Sequence, residues 1–234
     1  MPSTSPDGKW KATVLEDQES ASLRVSSTDG SVVWIADTVT ERDIYGGFEW
    51  PIPFHWSKDG RYLYFTHHER GDGCISLFHG SDLQRLDLQT GEVTEIIPRV
   101  GYWLALSPDE TTLAYLSFEK GLILHDLPSG DERQVHLDIE DAYPETPLHK
   151  SHLLWSPNGN LLVLTIDIDV CGPGWSTAIV QVDVATLSQT VLLHEDEKLL
   201  YTIEWLEANR ILLWEEGGHL WWLDTTTGTV TTAE

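Results

Sequence analysis

Cysteine and basic residues are scarce in this chain of 234 residues, and each shortage narrows what the protein can be. The 2 cysteines, Cys74 and Cys171, are too few to frame a disulfide-stapled fold of this length. One bridge between them is open on the count, but two unpaired thiols in a reducing compartment is the plainer reading. Lysine and arginine together number 14 against 38 aspartates and glutamates, for a formal net charge of −24. Such a surface repels phosphate backbones and anionic lipid, which removes nucleic acid and membrane from the expected partners. It suits a cationic partner, a divalent metal, or simple solubility. No apolar run approaches the roughly 18 residues that a membrane-spanning helix needs. No long stretch carries a helical stripe of apolar residues either. Also missing are a Gly-x-Ser-x-Gly elbow, a phosphate loop and a His-Glu-x-x-His pair. Met1-Pro2-Ser3-Thr4 runs into the first repeat without a basic, apolar leader. A cytoplasmic location is therefore expected, although an exported chain trimmed of its leader would read the same.

What the chain does have is tryptophan, 11 of them, and a phrase that keeps returning. Trp155-Ser156-Pro157-Asn158-Gly159 leads into the apolar run Leu161 to Leu164, and Trp56-Ser57-Lys58-Asp59-Gly60 leads into Tyr62 to Phe65. Looser copies begin at Ser5-Pro6-Asp7-Gly8 and Leu106-Ser107-Pro108-Asp109, and a worn one at Trp205-Leu206-Glu207. Ser5, Ser57, Ser107, Ser156 and Leu206 are spaced by 52, 50, 49 and 50 residues. A period near fifty marks an array whose units cannot bury their own faces. Each unit reads as four short strands cut by Asp-Gly, Asn-Gly or Thr-Gly turns, with Leu86-Asp87 through Gly91 and Leu223-Asp224 through Gly228 as the second hairpin signal. The expected fold is all-β: a five-bladed β-propeller with four antiparallel strands per blade and no surplus strand to latch the ring. One domain is expected over residues 1–234, with blades at about 1–37, 48–97, 100–137, 150–194 and 199–234. Trp56, Trp155 and Trp205, each placed just before a turn, are expected to pack between neighbouring blades.

The Trp-Ser-Pro-Asp-Gly phrase resembles that of the TolB-type, WD-repeat-like propellers, and the resemblance covers nearly the whole chain. It implies the fold, and it implies no activity, because the shared residues build turns and blade packing.

Function is expected where the connections are uneven. The links entering blades two and four (about 37–50 and 138–150) are long, as are the loops at about 66–81 and 167–177 in the same blades. All four belong to one edge of the blades. They hold the candidate binding residues Tyr45, Glu49, Trp50, His67, His68 and Asp72 of blade two, and Asp141, Tyr143, His149, His152 and Trp175 of blade four. The plainer reading of these residues is a solvated acidic rim. Asp167-Ile168-Asp169 starts like a calcium loop but meets Cys171 where a third oxygen ligand belongs. His67 and His68 with His149 and His152 contain zinc-ligating side chains, if their loops converge. The expected function is a non-catalytic binding or scaffold propeller that engages a protein or peptide, favouring a basic one, through the edge carrying the loops of blades two and four. The alternatives are a carbohydrate-binding or glycoside-cleaving propeller, and a structural propeller stabilised by calcium or zinc.

Overall fold

The repeated phrase folds into a turn closed by its own side chains. In the second repeat the Ser57 hydroxyl donates to Asp59 Oδ1 at 2.6 Å and accepts the Tyr62 amide at 2.8 Å, while Asp59 Oδ1 also accepts the Arg61 amide. Ser5 with Asp7, Ser107 with Asp109 and Ser156 with Asn158 repeat the arrangement. The serines are buried, so each hydroxyl satisfies a backbone amide that water does not reach. The fourth turn residue adopts a left-handed conformation, with φ of 71°, 68° and 74° at Gly8, Gly60 and Gly159. Glu110 takes the same position at φ 61° without being a glycine.

The computed structural model describes residues 3–42, 47–68, 81–100, 103–117, 120–170, 172, 174–207 and 209–233. Among them, four-stranded antiparallel sheets follow one another along the chain. The first holds β1 (Ser3–Thr4), β2 (Trp10–Glu16), β3 (Ala21–Ser27) and β4 (Val33–Val39). The second holds β5 (Trp50–Trp56), β6 (Tyr62–His68), β7 (Ser81–Asp87) and β8 (Val93–Val100). The third holds β9 (Leu104–Leu106), β10 (Thr112–Ser117), β11 (Gly121–Asp126) and β12 (Glu132–Val135). After a short helix, α1 (Asp138–Ala142), come β13 (Leu148–Trp155), β14 (Leu161–Ile168), β15 (Ser176–Asp183) and β16 (Gln189–Asp196). The last sheet is β17 (Leu200–Glu207), β18 (Arg210–Glu215), β19 (His219–Asp224) and β20 (Val230–Thr232). This is the five-bladed, all-β propeller architecture. The one helix among the described residues is a single turn with three carboxylates in its opening residues, where the helix dipole favours them.

Two compact units divide the blades, the first carrying β1 to β8 and the second β9 to β20. In the first unit, Trp56 packs with Ala12, Leu23, Val25, Leu63, Phe65 and Leu86, and its Nε1–H donates to Ser3 Oγ on β1. In the second, Trp155 joins a cluster that reaches back to Leu122 and Leu124 of blade three, and its Nε1–H donates to the Ala105 carbonyl on β9. Trp205 likewise packs with Val163 and Ile179 of blade four. Each of these tryptophans therefore completes the core of the blade before its own, as the sequence pattern predicts.

Candidate functional site

In the second unit the first strands of the blades, β9, β13 and β17, lie side by side. The register of β13 slips between Ser151 and Leu154, and the bulge holds His152 at φ 49°. Its ring is thereby set between Trp103, at 3.8 Å between centroids, and Tyr201, at 4.8 Å. Tyr201 in turn stacks on Trp214 at 5.6 Å. Four aromatic rings thus form one run from the approach to β9 across β13 and β17 to β18. Trp214, at the end of the run, is 37 % exposed, and its cross-strand neighbour Leu220 is 38 % exposed.

A polar seam accompanies the run. On β14 the alternation that turns Val163 toward blade five carries Thr165 and Asp167 onto the same face. Asp167 is 2 % exposed; Thr177 Oγ1 donates to its Oδ1 at 3.0 Å, and His149 Nδ1 lies 3.4 Å from its Oδ2. Thr202 donates its hydroxyl to the His152 carbonyl and its amide to Thr165 Oγ1, which ties β17 to blade four. Burial pushes the His152 imidazole down to about 4, against the pull of the Asp167 carboxylate. Burial also pushes the Tyr201 phenol up to about 12, with Asp167 and Glu216 adding to the rise. Both rings are neutral at physiological pH, so the run bears no charge of its own while negative charge stands around it.

The expected site residues fall into several groups. Tyr45 and Asp72 lie outside the described residues, as do Cys74 and Cys171, and the side chain of His68 is likewise not described. Trp50, His67, His149 and His152 belong to strands rather than to the loops in which they were expected. The strands continue past the expected loop starts because the ladders continue, pairing Trp50 with His68 and His149 with Asp167. Trp50 and His67 belong to the first unit: Trp50 Nε1–H donates to Glu16, and His67 Nε2 lies 2.5 Å from Asp37 Oδ2, whose pKa this contact lowers. Glu49 is exposed. In the second unit His149 and His152 join the seam and the aromatic run. Tyr143 meets His194 edge to face at 6.5 Å, Trp175 is half-buried just before β15, and Asp141 pairs with His136 on the helix surface.

The calcium-loop expectation meets a different local structure. Asp167 is inside β14 and spends its oxygens on Thr177 and His149, whereas Asp169 follows the strand in a left-handed conformation at φ 51°. Among the described residues no group of three or more His, Cys, Asp or Glu side chains is placed to hold a metal ion. His152 Nδ1 lies 2.8 Å from Ser151 Oγ, and its ring is flanked on both sides by tilted aromatic rings.

Trp103, Tyr201 and Trp214 were absent from the sequence expectations. The repeat itself carries part of the signal, since Trp103 and His152 each stand three residues before the pre-turn position held by Leu106 and Trp155. Tyr201 stands four before Trp205, in a strand whose register slips between Thr202 and Glu204.

No protein-family model matches the sequence, and no curated protein matches it. Solved structures do. An oligogalacturonate lyase in complex with manganese superposes with a TM-score of 0.61 at 16% identity, over 99% of this chain and 63% of that one. TolB from Acinetobacter baumannii gives 0.54 at 16%, over 98% and 52%. The β-propeller domain of Cps50 (Swd1) from Myceliophteria thermophila gives 0.56 at 17%, over 95% and 63%. The chain thus spans between half and two thirds of the length of these structures. The manganese belongs to the lyase structure, and the described residues here do not reproduce a metal-binding cluster. With serine-closed turns, four-stranded blades and these likenesses in place, the chain has the TolB-like, WD-like β-propeller fold.

Proposed function

We propose that this chain is a non-catalytic binding propeller that engages a protein or peptide partner, favouring a basic one, through the loop-bearing edge of its blades. The observation that carries the reading is the aromatic run Trp103–His152–Tyr201–Trp214, partly open to solvent at Trp214 and set in a chain of net charge −24. Neutral aromatic faces and surrounding carboxylates together select apolar and cationic groups, the combination found at the centre of many protein interfaces. The seam is poorly arranged for catalysis. Ser151, which contacts His152, is wholly buried and out of reach of a substrate. Asp167 is equally enclosed, and its contacts are a threonine hydroxyl and His149.

The competing reading is a carbohydrate-binding or glycoside-cleaving propeller, favoured by the aromatic run because sugar rings also stack on Trp and Tyr. The lyase likeness does not extend it to oligogalacturonate, a polyanion that the acidic surface opposes.

The test is affinity capture from extract, with the wild type and a Tyr201→Ser/Trp214→Ser variant compared at 0.15 M and 1 M salt. The Debye length falls from about 8 to about 3 Å between those conditions. The reading expects a partner that is retained by the wild type at low salt and lost in both the variant and high salt. Capture that ignores salt and variant alike, or retention of neutral glycans on an array instead, overturns it.

A further inference from the structure

We infer that the group this site takes from its partner is an arginine guanidinium, seated over Trp214 at the open end of the aromatic run. The inference rests on the partner-binding reading and adds the chemistry of what is bound.

Trp214 is the accessible ring of the run. Its cross-strand neighbours are Tyr201 on one side and Leu220 on the other, so it stands in a row on one face of blade five. Leu212 and Trp222 form the next row on that face, two residues along each strand. There the chain supplies its own occupant: the Arg210 guanidinium lies 4.5 Å from the Trp222 ring centroid. The same solution recurs elsewhere, with Arg42 over Phe48 at 4.3 Å and both Arg61 and Arg85 over Tyr62 at 4.9 and 4.4 Å. Among the described residues no guanidinium or ammonium group is seated over Trp214, although the ring is 37 % exposed.

Electrostatics favour a cation at that position. Asp167 and Glu216 both lie close enough to act on Tyr201, the ring stacked on Trp214. The lysines of blades four and five are already engaged, Lys150 by Glu140 and Lys198 by Glu195. A planar guanidinium stacks on an indole face and hydrogen-bonds carboxylates at its rim, whereas an ammonium group is a strongly hydrated point charge. Arginine is therefore preferred over lysine.

Labelled decapeptides that alternate glycine with arginine, lysine or citrulline provide the probe, read by fluorescence anisotropy at 0.05 M salt. Citrulline keeps the shape of arginine and removes the charge. The expected result is that the arginine peptide binds about tenfold tighter than the citrulline peptide and severalfold tighter than the lysine peptide. Trp214→Ala should remove that advantage, while Trp214→Phe keeps most of it and Ile35→Ser, an exposed apolar change on blade one, keeps all of it. Thermal melts establish that each variant is folded, and the Phe variant with the citrulline contrast carries the test if the Ala variant is not. Equal binding of arginine and citrulline overturns the inference, as does equal binding of arginine and lysine or an equal loss in Trp214→Ala and Ile35→Ser. A salt-sensitive partner whose capture ignores Trp214 would sink the arginine site and leave the partner reading standing. Sedimentation showing a dimer that Trp214→Ala dissociates would assign the face to a second copy of the chain and also overturn it.

Discussion

Replacing Ser107 by alanine should cost more than replacing Ser156, although the two hydroxyls do the same geometrical work in adjacent blades of one unit. Each is buried and accepts a backbone amide five residues on, from Thr112 and Leu161 respectively, both at 2.9 Å. Removing that acceptor costs about 1–2 kcal/mol in either case. Ser156 also donates to the neutral Asn158 amide oxygen at 2.8 Å, whereas Ser107 donates to the Asp109 carboxylate at 2.6 Å. A bond to a charged acceptor adds about 1 kcal/mol, so Ser107→Ala should total about 2–3 kcal/mol. With a urea dependence of about 3 kcal/mol per molar, the unfolding midpoints should drop by about 0.5 M for Ser156→Ala and nearly 1 M for Ser107→Ala. The extra loss also has a pH signature. The Ser107 hydroxyl is the foremost of the contacts that hold the Asp109 pKa below its ordinary 3.8. A depressed carboxylate contributes fully above 3.8 and loses its contribution as pH falls through the lower folded value. The gap between the two variants should therefore be present at pH 7 and narrow as the pH falls below 3.8. Equal midpoints at pH 7, or a gap unchanged in acid, would refute the reasoning.

Four further outcomes follow from the same geometry. Gly8→Ala, at φ 71° with open space around the new Cβ, should cost about 1 kcal/mol of backbone strain. Gly91→Ala should cost at least twice as much in a thermal melt, because its Cβ would stand 2.6 Å from the Trp34 ring. By NMR titration His152 should protonate near pH 4, and His136, raised by Asp141 and Glu140, above its ordinary 6.5. Since the unfolded chain takes up the His152 proton first, stability should decline by on the order of 3 kcal/mol as pH falls from 6.5 to 4; His152→Asn, which tolerates the left-handed backbone, should flatten that decline.

The blades were legible because their determinants are local. A serine, an acceptor two residues on and a glycine after it fix a turn within five residues, and a tryptophan just before that turn needs only a neighbouring blade to pack on. The site was harder to read because it depends on register. His152 enters the aromatic run through one slip in the β13 ladder, and nothing in His149 to Trp155 signals that slip. Asp167 reads as the start of a metal loop, but Ile166 and Ile168 continue an apolar face and carry the strand through it. The helix at Asp138 is a single turn, too short to show a stripe in the sequence.

The backward reach of the pre-turn tryptophans has a consequence for synthesis. The indole of Trp56 bonds to β1, that of Trp155 bonds to β9, and Trp205 packs on β14 and β15, so each finds its receptor in polypeptide made earlier. A nascent chain leaving the ribosome amino end first therefore has the socket waiting before each of these three plugs arrives, and blades two, four and five can dock as their opening strands emerge.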